Sequence, residues 1–99
     1  MEINRNETQT IGTDAEVVSI EAGRNNTTRA SIIIINTSTG GQVISLAIDA
    51  EAKASAGIVL NPGGFWSDNK EGDYLPTQKH ITAISSAAGG TIAIQERLI

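Results

Sequence analysis

The chain has 99 residues, a length that suits one hydrophobic core and leaves little stability to spare. Its net charge is −4 and its seven Lys and Arg are scattered, so it lacks the cationic footprint that nucleic acid or an anionic membrane surface would require. Hydrophobic residues make up 39% and aromatic ones only 3%, with isoleucine foremost, so the core must be β-branched and aliphatic, as suits a pleated sheet.

Residues 1–14 are rich in Asn, Thr and Glu, with Ile3 and Ile11 as apolar anchors, and are expected to form an extended N-terminal arm, frayed or ordered on a partner. Residues 15–99 are expected to form the folded domain. Residues 16–20 read as a first strand and residues 23–28 as a turn. Residues 29–36 contain four consecutive isoleucines at positions 32–35, so both faces of that strand are apolar. One face, with Ile33 and Ile35, is then free to meet something other than the core.

Thr37-Ser38-Thr39-Gly40-Gly41 reads as a hairpin turn into a strand over residues 42–48, where Ile44, Leu46 and Ile48 share a face. Residues 49–56 read as a loop or single helical turn. A short strand at 57–60 ends in Asn61-Pro62-Gly63-Gly64, and Phe65-Trp66-Ser67 resumes an extended run. Residues 68–78 form a polar loop. Strands at 81–85 and 91–98, joined by Ser86-Ala87-Ala88-Gly89-Gly90, complete the chain. About seven short strands at regular spacing predict an all-β fold, a small antiparallel β-sandwich with a barrel as the variant.

The sequence offers no catalytic constellation, so an enzyme is not expected. His80 is the lone histidine and no cysteine is present, which leaves no zinc ligand set. No nucleophile elbow or phosphate loop occurs, and Gly40-Gly41 and Gly63-Gly64 read as turns. In Asp68-Asn69-Lys70-Glu71-Gly72-Asp73 a lysine stands where a calcium loop needs a ligand. No metal and no cofactor is expected. Several Asn-x-Ser/Thr sequons, such as Asn36-Thr37-Ser38, read as turn clusters. Phe65, Trp66 and Tyr74 allow two readings, a sugar-stacking platform or ring anchors in a core or interface, and the scarcity of rings favours the second. The lack of cysteine, of an apolar signal segment after Met1 and of any run near the ~18 residues of a spanning helix points to synthesis in the cytosol.

From about Arg29 onward, the strand ending in Asn36-Thr37-Ser38, the run Gly57-Ile58-Val59-Leu60-Asn61-Pro62-Gly63-Gly64-Phe65-Trp66, then Ile81-Thr82-Ala83-Ile84-Ser85-Ser86-Ala87-Ala88 and Thr91-Ile92-Ala93-Ile94-Gln95-Glu96 follow one another. In that order they resemble β-modules of tailed-phage virions, the capsid decoration (cement) and head-fibre base proteins. The resemblance implies a viral structural protein, made in the host cytoplasm, that sits on the capsid surface as a homotrimer or other symmetric cluster. There it would bind the major capsid protein and bridge coat subunits. Expected partner contacts are Ile3, Ile11, Ile33, Ile35, Phe65 and Trp66, with neither nucleic acid nor membrane as partner. The alternative is a receptor- or carbohydrate-binding module of a phage fibre, with Trp66 and Tyr74 exposed together.

Overall fold

Residues 2–22 and 27–99 are described by the structure, a computed structural model. Its strands are β1 (Ile3–Ile11), β2 (Glu16–Ser19), β3 (Arg29–Asn36), β4 (Ile44–Ile48), β5 (Ile58–Leu60), β6 (Phe65–Asn69), β7 (Ile81–Ser85) and β8 (Gly90–Leu98). They form two four-stranded antiparallel sheets, ordered β1-β8-β3-β6 and β2-β7-β4-β5. Successive strands mostly alternate between the sheets, which is the two-sheet jelly-roll pattern. Both sheets keep free edges, so the fold is a sandwich and the barrel variant is set aside.

The period-2 alternation turns one face of each sheet inward. Ile32, Ile34, Ile92 and Ile94 of the first sheet pack against Ile44, Leu46, Ile81 and Ala83 of the second, joined by Ile11, Val18 and Leu60. Each large aliphatic side chain among them contributes about 1.5–3 kcal/mol on burial. Trp66 lies against this cluster from its margin.

Two expectations need correction. The stretch read as an arm contains β1, nine residues that pair with β8 from Ile3↔Leu98 to Ile11↔Gly90. Its inward positions between the isoleucines are Arg5, Glu7 and Gln9, so no apolar alternation announces it. The strands at 29–36 and 42–48 do not make a hairpin: β3 and β4 lie in different sheets, and the second begins at Ile44. Buried Asn36 anchors the change of sheet. Its Nδ2 donates to the carbonyls of Gln42 and Leu60, both at 2.9 Å, while its Oδ1 accepts from the Ser38 amide at 3.0 Å. The turn expected at 23–28 falls largely on residues 23–26, outside the described residues.

The segment 49–57 lies across the outer face of the second sheet. Thr82 Oγ1 donates to the Ala50 carbonyl at 2.7 Å, the Ser55 amide donates to Ser45 Oγ at 3.0 Å, and Ala52, Ser45 and Thr82 are buried there. Among the described residues, none forms such a cover on the outer face of the first sheet. There Ile33 and Ile35 stay only half-buried beside exposed Phe65.

Candidate functional site

The four sheet edges differ in what they offer a partner. In the second sheet, β2 has four residues, with a register shift between Val17 and Ser19. Its Val18 carbonyl accepts from Arg5 Nη2 at 2.7 Å and its Val17 carbonyl from Gln9 Nε2 at 3.4 Å, both donors reaching over from β1. The opposite edge, β5, has three residues and is followed by Pro62. Short, irregular, side-chain-capped edges resist strand addition.

Among the described residues, the edges of the first sheet carry none of these devices. The Thr37 amide bonds the Thr91 carbonyl, so residues 91, 93, 95 and 97 of β8 spend their backbone groups on β3, and the intervening residues face β1. By the same alternation Ile3, Arg5, Glu7, Gln9 and Ile11 pair toward β8, while the N–H and C=O groups of Asn4, Asn6, Thr8 and Thr10 point outward. On β6, the bonds Asn36 N to Gly64 O and Lys70 N to Ala30 O place residues 64, 66, 68 and 70 toward β3. The backbone groups of Phe65, Ser67 and Asn69 therefore face outward. β1 presents a nine-residue edge and β6 a five-residue edge, neither interrupted by proline.

The expected contact residues divide between the two faces. Ile33 and Ile35 lie on the outer face of the first sheet in cross-strand register with Ser67 and Phe65, and Phe65 is 62% exposed. With Ala93, Thr8 and Asn6 they line a shallow depression of about 340 Å³. Ile3 is exposed at the start of β1. Ile11 is wholly buried and Trp66 turns inward against the core, so neither reaches this surface. The three aromatic rings form no common platform. Phe65 faces out, Trp66 faces in, and exposed Tyr74 donates a hydrogen bond from its hydroxyl to the Asp68 carboxylate.

Sequence reasoning overlooked a buried ionic cluster. Wholly buried Arg29 donates Nε to Glu96 Oε2 at 2.6 Å, Nη2 to Ser19 Oγ at 2.7 Å and to the Ile20 carbonyl at 2.8 Å, and Nη1 to the carbonyls of Thr77 and Lys79. Arg5 Nη1 reaches Glu96 Oε1 at 2.9 Å, and Ser19 Oγ donates to Glu96 Oε2 at 2.7 Å. Burial alone would raise the Glu96 pKa, but hydrogen bonds from Arg29, Ser19 and Arg5, with the charge of Arg29, outweigh it and hold the carboxyl below its ordinary range. The cluster ties β3 and β8 to β2 and to the segment before β7. The one signal in the sequence is a charge at the inward position two residues after Ile94. All five guanidinium N–H groups of Arg29 are engaged within the fold, so the cluster is a structural tie.

Among the described residues, no three His, Cys, Asp or Glu side chains gather in a metal-binding arrangement. His80 Nδ1 stands 3.6 Å from Asp49 Oδ1 at the surface. In the loop considered for calcium, the Asp68 carboxylate is occupied by the Tyr74 hydroxyl and the Thr77 amide.

No protein-family model and no curated protein matches the sequence. Among solved structures, the chain is similar to one described as "Bacillus endospore appendages form a novel family of disulfide-linked pili", with TM-score 0.60, 17% identity and coverage of 99% of this chain and 85% of that one. It also aligns with one described as "Crystal structure of PirA", at TM-score 0.49 and 16% identity, covering 92% of each chain, too weakly to support an argument. The likeness to the pilus structure overturns the expected membership among phage decoration and head-fibre proteins, and with it the capsid surface, and it gives no support to the major capsid protein as partner or to the homotrimer. The fibre-module alternative gains no support either. The motifs behind that resemblance are strand and turn chemistry that many β-sandwiches share. At 17% identity the likeness extends to the fold, over nearly the whole chain.

Proposed function

We propose that this chain is a structural subunit that associates with further copies of itself, as part of an appendage outside the cell, and that it is not an enzyme. The observation that carries this reading is the contrast between edges. Among the described residues, β1 and β6 leave rows of backbone donors and acceptors unpaired, whereas β2 is short and capped by Arg5 and Gln9, and β5 has only three residues before Pro62. Such open edges recruit strands from other chains. The likeness to a structure described as forming pili supports the same reading, since it spans nearly the whole chain. Those pili are described as disulfide-linked, and the 99 residues here hold no cysteine, so contacts made through them do not use disulfides.

A concentration series of the purified chain, followed by light scattering and negative-stain electron microscopy, tests the proposal. Expected are multi-copy assemblies that grow with concentration. A chain that stays monomeric up to its solubility limit overturns it.

A further inference from the structure

Resting on that reading, we infer that the assembly contact joins the β1 edge of one copy to the β6 edge of the next, head to tail, with Asn6 opposite Ser67. Three features of the first sheet converge on this pairing.

The first is direction. The sheet has four strands, each antiparallel to its neighbour, so its two edge strands run in opposite senses. An identical copy carried sideways without turning over brings its β1 antiparallel to β6. That is the more stable ladder, and it keeps both cores on the same side. The second is parity. The outward backbone groups belong to Asn4, Asn6, Thr8 and Thr10 on β1 and to Phe65, Ser67 and Asn69 on β6, and all these side chains lie on the outer face. Hydrogen-bonded pairing therefore joins outer face to outer face.

The third is register. Across one copy the rows run Thr8, Ala93, Ile35, Phe65 and then Asn6, Gln95, Ile33, Ser67. With Asn6 opposite Ser67, each row passes straight into the same row of the next copy, without stagger. Exposed Phe65 then meets Thr8 and continues toward Ala93 and Ile35. On the inner side, Asp68 comes opposite Arg5, whereas a slip of two residues brings it opposite Glu7. Like charges across a ladder are destabilising, so that slip is disfavoured, and a slip in the other sense places Asp68 opposite Ile3 and forgoes the approach to Arg5. The step also carries β2 of the next copy toward β5, where exposed Val17 and Val59 sit on short edges. A contact that repeats without closing produces a filament.

The cysteine-free sequence allows a direct test. A hydrogen-bonded antiparallel pair holds its Cα atoms about 5.5 Å apart, within disulfide reach. N6C and S67C variants are mixed under conditions that assemble the unmodified chain, then oxidised mildly. The expected result is a covalent dimer in the mixture, a ladder of multimers from the N6C/S67C double variant, and loss of cross-linking in the out-of-register T8C/S67C variant. Cross-linked dimers from N6C alone or S67C alone would show like edges meeting and would overturn the inference. Filaments that form without any disulfide between positions 6 and 67 overturn it as well and leave the self-association reading standing. Absence of both filaments and cross-links removes that reading too.

Discussion

Glu96 and Arg29 show how one charge can be buried at the end of an isoleucine-rich strand. The carboxylate accepts hydrogen bonds from Arg29, Ser19 and Arg5, and Arg29 in turn leaves no N–H unused. Removing one partner of such a pair strands the other in the core, which costs about 3–5 kcal/mol. Glu96→Ala is expected to lower the urea midpoint accordingly, with the far-ultraviolet β signal retained below the transition. Protonation acts in the same direction. The folded carboxyl lies below its unfolded value near 4.5, so its contribution is complete above that value and is lost as pH falls through the folded pKa. Stability measured by urea titration from about pH 6 downward, starting where the carboxylate is fully ionised, should therefore drop for the native chain and much less for Glu96→Gln. Gly57 is a second critical residue. It has φ +75°, and a Cβ there would sit 2.6 Å from the Leu46 carbonyl oxygen. Gly57→Ala is expected to lower thermal stability by about 1–3 kcal/mol, whereas the same change at Gly12, which has open space and ordinary φ, should alter it little.

At the scale of strands, the alternation of backbone groups separates assembly from folding. The Ser67 amide points away from β3, so proline there removes no ladder bond of the fold, while the Trp66 amide faces β3. Ser67→Pro is expected to melt within about 1 kcal/mol of the native chain and to lose assembly. Trp66→Pro should lose about 3 kcal/mol or more of stability. Circular dichroism melts and light scattering on the same samples check both. Most strands are legible in the sequence: residues 81–85 and the core of 29–36 announce themselves by β-branched runs bounded by turn residues. β1 is not, because its inward side chains serve Glu96 and the carbonyls of β2 in place of the core. Nor is the order of strands, since Thr-Ser-Thr-Gly-Gly chemistry serves a hairpin or a change of sheet equally well. Parity places Ile33 and Ile35 together on a face beyond the core. Which strands form the edges depends on pairings between residues as distant as Ile3 and Leu98, and those leave no local mark.

For the whole molecule, net charge sets the opposing term in self-association. Each copy carries −4. Four strands at about 4.8 Å spacing give a repeat of about 19 Å along the stack, in keeping with the shorter dimensions of the molecule, 23 and 22 Å. Two such charges at that separation in water repel by about 3–4 kcal/mol unscreened. With a Debye length of about 30 Å at 0.01 M salt, roughly half of this survives, whereas at 0.1 M, where the length is about 10 Å, less than about 1 kcal/mol remains. The backbone ladder and the burial of Phe65 hardly respond to salt over this range, and the single Arg5–Asp68 approach is too small to offset the change. Raising salt from about 0.01 to 0.1 M should therefore lower the critical concentration for assembly by roughly tenfold, as measured by sedimentation of the assembled fraction. A contact held mainly by opposite charges would respond in the opposite sense, with assembly weakening as salt rises, and that outcome would place the interface away from the β1 and β6 edges.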